Sequence, residues 1–277
     1  MISVVILTFN SEKSLPRTLS RARLVSDDIH IVDSFSSDRT IGIADEYGCH
    51  VVQHEFETYG AQRNWAIDNL ALSHPWQLHL DADEEMTLEL VDSIKAINFA
   101  TTQANGYIIG RKIVFLGQVL RFGGIAKTWH YRLFRRNCGR CEDRLYDQHF
   151  VGVCKIGIIH AFLLDHQQDD LSEWTARHNR WADLEARQLT DRRPSAGSRI
   201  NGRLTGNKIE RTRACKAAYY RLPLFARSFG YFLYRYVGLL GFLDGRRGLI
   251  YHVLQAFWFR FLVDAKIFER QGRSADD

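Results

Sequence analysis

The chain has 277 residues, 45% apolar and 25% charged, with a formal net charge of +5. That length and balance fit a globular protein with one large core, or a core with an appendage, and exclude a disordered or fibrous chain. The five cysteines (Cys49, Cys138, Cys141, Cys154 and Cys215) are odd in number and scattered, a pattern of reduced thiols rather than of a disulfide scaffold.

In chain order, the apolar run Ser3 to Phe9 predicts a buried strand. No basic segment precedes it, and Asn10, Glu12 and Lys13 follow at once, so no secretory leader is expected. Ser11 to Arg23 predicts a helix that Ser11 or Ser14 can cap. Ile29 to Val32 predicts a second strand, Ser34 to Ser37 a polar loop, and Asp38 to Tyr47 a helix stopped by Gly48. Val51 and Val52 mark a short third strand, Gly60 to Ala71 a helix, and Trp76 to Leu80 a fourth strand. This alternation predicts an α/β fold, a mostly parallel central sheet flanked by helices.

The fourth strand stops at Asp81-Ala82-Asp83-Glu84-Glu85, four carboxylates in five positions. Ligands of open α/β sheets bind beyond the carboxyl ends of such strands. Two acids one residue apart there can hold a hard divalent cation, which in turn can hold a diphosphate. The plainer alternative is a solvated turn in which Glu84 and Glu85 favour a helix N-terminus.

Beyond residue 100, Gly106 to Phe115, Tyr131 to Arg135 and Ile156 to Ile159 predict strands, and Gly117 and Gly123-Gly124 mark turns. Leu171 to Leu189 predicts a long helix broken by Pro194 and Gly197. Residues 192–227 then carry ten Lys or Arg and one acid, Glu210, so the rest of the chain is mildly acidic. Such a basic block suggests an anionic partner. It lacks the stacking platform or groove-reading motif of a nucleic-acid binder, so no nucleic-acid partner is expected. The tail from Phe225 to Phe268 is aromatic-rich, but its longest uncharged run, Gly248 to Phe259, is twelve residues. A spanning helix needs roughly 20. Helices lying in a membrane interface, with snorkelling arginines, are the expectation, against a soluble appendage that packs on protein.

The stretches SVVILTFNSE, IVDSFSSDRT, YGAQRNWA and LDADEE, in this order, together resemble glycosyltransferase family 2 with its GT-A fold, in particular the lipopolysaccharide-core and exopolysaccharide glucosyltransferase-like group. The tail stretch GFLDGRRG resembles that group too. The resemblance implies a GT-A domain over 1–190 with a helical C-terminal appendage over 191–277. It implies inverting transfer of a sugar, a UDP-sugar first among donors, to a saccharide or lipid-linked acceptor at the cytoplasmic face of the inner membrane. Thr8, Phe9 and Asn10 would meet the nucleotide, and Asp33 its base, since a carboxylate can accept a ring N–H. Arg63 would neutralise phosphate and Asn64 brace its loop. Asp81 would lie near the ribose and share the metal site with Asp83, with His160 as a third ligand and Mg²⁺ or Mn²⁺ as the ion.

An inverting transferase needs a base for the acceptor hydroxyl. The resemblance places it in the segment 141–149 by two conflicting alignments. Asp143 and Asp147 stand equal, with Glu142 below them. The pair Gly123-Gly124 matches a glycine loop near the donor sugar, or is a plain turn. Arg180 and Trp181 would line the acceptor or pack on the core. Position 177 is Arg where the processive members carry Gln, so single-sugar addition is expected. Two rivals remain. A sugar nucleotidyltransferase would need a Gly-rich loop where Thr8 to Glu12 stands. A non-catalytic zinc module could use Cys138, Cys141, Cys154 and a His, but a second Cys-x-x-Cys pair is missing.

Overall fold

The structure is a computed structural model that describes residues 2–126, 128–142, 148–152, 155–167, 170–190, 205 and 208–276, leaving aside the side chains of 208–213 and 273–276. In chain order its elements are β1 (Ile2–Thr8), α1 (Leu15–Ala22), β2 (Asp28–Asp33), α2 (Thr40–Glu46), β3 (His50–Gln53), α3 (Tyr59–Asn69), β4 (Trp76–Asp81), β5 (Glu84–Met86), α4 (Leu88–Lys95), β6 (Gly106–Phe115), β7 (Gln118–Val119) and β8 (Thr128–Arg135). Then follow β9 (Gly139–Cys141), β10 (Phe150–Gly152), β11 (Ile156–His166), α5 (Leu171–Thr190), α6 (Lys208–Tyr219), α7 (Ala226–Leu233), α8 (Gly245–His252) and α9 (Phe259–Asp276), with short π or 3₁₀ turns between α7 and α9.

Two compact units result. One comprises Met1–Val114, Lys127–Cys141 and Gln148–Gln167, the other Phe115–Ala126, Glu142–Asp147 and Gln168–Asp277. The long helix α5, expected in the first domain, belongs to the second. Its Ala182 and Ala186 are buried with Phe259, Val263 and Ile267 of α9.

In the first unit the sheet runs β3-β2-β1-β4-β8-β6-β11-β5. β1 pairs in parallel with β2 and β4, β2 with β3, and β6 with β11. β8 lies antiparallel between β4 and β6, and β5 lies antiparallel on β11. β1 is buried along its whole length, and alternation sends its side chains to two cores. Val4 and Ile6 pack with Leu15 and Leu19 of α1, Ala44 of α2 and Leu90 of α4. Val5 and Leu7 pack with Ala66 of α3 and Leu72. Helices thus cover both faces, which makes the continuous apolar run of β1 stable as a central strand. Local chemistry sets the helix starts. Pro16 opens α1, and the hydroxyls of Thr58 and Thr87 cap α3 and α4 by accepting the Ala61 and Leu90 N–H groups at 3.1 and 3.2 Å. Gly48, at φ +66°, follows α2 as expected.

Two elements differ from expectation. Glu84 and Glu85 open no helix but form β5, whose register sets Asp165 opposite Glu84 and Leu164 opposite Glu85. The strand expected to end at Ile159 instead runs to His166, through an irregularity between Ile159 and Phe162.

In the second unit a loop over 115–126 is gripped by the GFLDGRRG stretch. The Asp244 carboxylate accepts the N–H groups of Arg121 at 3.0 Å and Phe122 at 2.9 Å. Arg235 Nε donates to the Gly123 carbonyl at 2.7 Å, and the Gly123 N–H donates to the Leu239 carbonyl at 2.8 Å. Gly123 has φ +73°, and a Cβ there would lie 2.1 Å from the His252 ring, so only glycine fits.

Candidate active site

The carboxyl ends of β1, β2 and β4 meet at one edge of the first unit. There the loops after β1 and β2 are stitched together. Asn10, at φ +46°, takes the Ser37 N–H on its Oδ1 at 2.9 Å, and its own N–H donates to Ser36 Oγ at 2.8 Å. Asp33 is fully buried and organises this turn. It accepts from Thr8 Oγ1 at 2.8 Å, Ser36 Oγ at 2.5 Å, the Ser36 N–H at 2.8 Å and Gln53 Nε2 at 3.4 Å. Both oxygens of its carboxylate are thus engaged by protein donors. Phe9 and Phe35 are the exposed large apolar side chains of the two loops, at 62% and 58%.

Three successive residues of α3 tie this edge together. Gln62 spans Ser34 Oγ and His54, Arg63 reaches β4, and Asn64 holds β9. Asn64 pairs with both backbone groups of Cys141, accepting its N–H at 2.9 Å and donating to its carbonyl at 3.1 Å. The acidic segment that joins β9 to β10 begins at the next residue. Glu142 there is buried, whereas Asp143 and Asp147 lie outside the described residues.

β4 carries two faces. Leu78 and Leu80 enter the core, while Gln77, His79 and Asp81 share the opposite face. His79 is fully buried, stacked on Phe134 with ring centroids 5.2 Å apart. Burial, and then the charges of Arg63 and Arg132, hold its pKa well below the ordinary value. The neutral ring accepts from Arg63 at Nδ1 (3.4 Å) and donates from Nε2 to Gln77 Oε1 (2.9 Å), a tautomer fixed because a guanidinium can only donate. So oriented, Arg63 donates to the Leu80 carbonyl at 2.9 Å and to Asp81 Oδ1.

The other Asp81 oxygen accepts from Arg132 at 2.7 Å, and the same nitrogen donates to Glu84 at 2.7 Å. Arg111 completes the cluster, 3.3 Å from Asp165 and 3.9 Å from Glu84. Burial alone would raise the Asp81 pKa, but Arg132 and Arg63 outweigh it and hold the carboxyl far below its usual range. Burial pushes Glu84 up to about 7, against the pull of Arg132 and with the help of the Asp81 charge. Three guanidiniums thus face Asp81, Asp165 and Glu84 beside the Asp-x-Asp turn, and pairing of this kind is the condition under which buried charge is tolerated.

Asp83 stays half-buried, and its carbonyl accepts the His166 N–H at 3.0 Å. His166 Nε2 lies 2.9 Å from Glu85. The histidine at the acidic turn is thus His166, not His160. Because β11 continues past the irregularity, His160 sits mid-strand, exposed against Trp129, six residues or about 20 Å along the strand from His166. The oxygen-only donors of the turn fit a hard divalent cation. Sequence reading missed His166, Arg132 and Arg111. Their signal was faint, since each lies on a strand whose partner is far away in the chain.

The family model for "Glycosyl transferase family 2" matches residues 3–165. The chain is a family 2 glycosyltransferase. An uncharacterized glycosyltransferase of Rickettsia conorii is 35% identical over 107 residues, which are 39% of this chain and 37% of that protein, so the chain matches well under half of that relative's length. A lipopolysaccharide core biosynthesis glycosyltransferase, LpsC of Rhizobium meliloti, is 24% identical over 99% of this chain and 94% of its own length. A mannosyltransferase from Pyrobaculum calidifontis aligns with a TM-score of 0.52 at 13% identity, over 96% of this chain and 86% of that one. The glycosyltransferase thus has the GT-A fold that its motif order implied, and the nucleotidyltransferase and zinc-module readings fall away. In its second unit Trp181 packs into the α5–α9 cluster, 4.7 Å from the His178 ring, while Arg180 is exposed.

Proposed function

We propose that this glycosyltransferase moves a hexosyl unit, with inversion, from a nucleotide diphosphate sugar to a saccharide or lipid-linked saccharide in lipopolysaccharide or related cell-surface polysaccharide biosynthesis. A UDP-sugar is the donor, UDP-glucose first within that class. The observation that carries this reading is the acidic turn at the carboxyl end of β4, where Asp81 is gripped by Arg63 and Arg132 while Asp83 stays half-exposed.

In this reading the nucleotide lies against Thr8, Phe9, Asn10 and the turn that Asp33 holds from beneath, and Asp81 meets the ribose. Asp83, with Glu85 and His166 behind it, would hold Mg²⁺ or Mn²⁺, which would neutralise the departing diphosphate. Arg63 and Arg132 fix the Asp81 carboxylate and add positive potential beneath the phosphates. Asp143 or Asp147 takes the proton of the acceptor hydroxyl as it attacks the anomeric carbon from the face opposite the nucleotide. The printed role of LpsC supports the pathway, and the Pyrobaculum mannosyltransferase was solved with GDP-Man and Mn²⁺.

Among the described residues no helix is long and apolar enough to cross a membrane. The second unit instead exposes Phe229, Leu233, Tyr234, Val237, Phe242 and Leu243. With the basic block, these support peripheral attachment to the anionic cytoplasmic face of the inner membrane.

A thermal-shift screen of nucleotide sugars with and without Mn²⁺ tests the function. A donor at about 100-fold its Kd should add about 2.7 kcal/mol to stability. One UDP-sugar should stabilise only with Mn²⁺, and less so in Asp83→Ala. No response to any nucleotide sugar, or an equal response without the ion, would remove the proposal.

A further inference from the structure

A second cluster of ionisable side chains lies at the opposite end of β2, five residues or about 17 Å from Asp33. Asp28 and His30 are two apart on one face of β2, and His50, the first residue of β3, is the register partner of His30. One ligand atom from each of the three lies within 4.8 Å of the others. His30 Nε2 is 2.8 Å from Asp28 Oδ1, and His50 Nε2 is 3.9 Å from the same oxygen. The two imidazole centroids are 4.9 Å apart.

The carboxylate is held in place from behind. Its Oδ2 accepts from Ser3 Oγ at 2.5 Å and from the Ser73 N–H at 2.9 Å, and Ser73 Oγ reaches Oδ1 at 3.2 Å. Hydrogen bonds of this kind, from groups that are not ligands themselves, orient the carboxylates of metal sites. Asp28 and His30 are buried, whereas the His50 side chain is 65% exposed and able to turn.

We propose that Asp28, His30 and His50 form a binding site for a divalent transition-metal ion of the zinc class, separate from the acidic turn. Two imidazole nitrogens and one carboxylate oxygen suit that class, with a fourth position for water on the exposed side. A tetrahedral ion with bonds of about 2.1 Å needs its ligand atoms about 3.4 Å apart, so the exposed His50 ring swings inward while Asp28 and His30 shift little. The site joins two strands. β3 is the four-residue edge of the sheet, and its last residue, Gln53, reaches Asp33 at the nucleotide end. An ion at its first residue would therefore pin the strand that supports that turn.

Isothermal titration of ZnCl₂ into the full chain tests the site, with Asp83→Ala and His50→Ala measured alongside. The wild type and Asp83→Ala should each bind one zinc with micromolar or tighter affinity and show a matching rise in Tm. His50→Ala, altered at an exposed side chain, should keep the apo Tm yet lose about tenfold or more in affinity. Equal zinc binding by His50→Ala and wild type would overturn the site, as would no stoichiometric uptake by the wild type. Loss of the zinc signal in Asp83→Ala would assign the ion to the acidic turn and overturn it too.

Discussion

Arg132 is the residue on which the acidic turn depends. One of its nitrogens serves Asp81 and Glu84 together, and its side chain is 8% exposed. Removing it takes a partner from the buried Glu84 and one of two guanidinium partners from the partly exposed Asp81, and breaking a buried pair costs more than the pair itself contributed. Arg132→Met should therefore destabilise the fold by about 3–5 kcal/mol, read from urea melts. A loss below about 1 kcal/mol would mean that Arg63 and Arg111 suffice. Asp83 differs from Asp81 in its proposed task rather than in its burial, which is intermediate for both. Asp83→Ala should lower sugar transfer about 10²-fold or more if it holds the ion that neutralises the leaving group. Near-normal turnover would remove Asp83 from the chemistry.

At the scale of elements, legibility followed the range of the interactions. β1, β2 and β6 were legible because their signal, an apolar run, is local. The polar face of β4 was hidden. Gln77 and His79 interrupt the apolar run at every second position, yet what they serve, Arg63, comes from a helix earlier in the chain. β5 was hidden too, because three residues rich in acid become a strand only when β11 lies beside them. The same blindness pointed to His160 rather than His166 as the histidine beside the acidic turn, since a strand irregularity cannot be seen without its partner strand. α5 shows the opposite case, a helix legible from its apolar spacing but with a buried titratable group inside. His178 is stacked on Trp174 at 3.4 Å, and its Nδ1–H donates to the Trp174 carbonyl at 2.8 Å. Burial brings its pKa down to about 4, below the ordinary 6.5. The unfolded chain therefore binds this proton more tightly than the folded one between those values. Stability that is full above about pH 6.5 should fall as the pH drops toward 4, and His178→Gln should flatten that slope in Tm measured against pH. Parallel slopes in variant and wild type would contradict the assignment.

For the whole molecule, the C-terminal third carries the proposed membrane-facing surface. Phe242, Leu243, Leu249 and Ile250 are exposed at 37% or more, and Arg246 and Arg247 stand among them, also exposed. Apolar side chains with interleaved arginines are the composition of a segment that lies in a lipid interface. Vesicles containing anionic lipid should co-sediment the protein, less so in high salt, and Phe242→Glu with Leu243→Glu should release it while the Tm holds. Equal pelleting with neutral vesicles, or by the double variant, would argue against this face. The family was legible from four short motifs because their order along the chain is also the order in which strands deliver residues to one sheet edge. The basic block from Arg192 was legible as charge alone, and most of its basic side chains lie outside the described ones.

One carboxamide, that of Asn64, has a wider reach than its size suggests. By meeting both main-chain groups of Cys141 it lets a helix stand in for a neighbouring strand, and its immediate neighbour Arg63 grips Asp81. In the proposed reaction, departure of the nucleotide and approach of the acceptor would thereby be hitched to adjacent residues on a single helical rod. Movement of that rod would disturb both at once, so evolution could retune either partner's pocket freely only by leaving this pair of side chains alone.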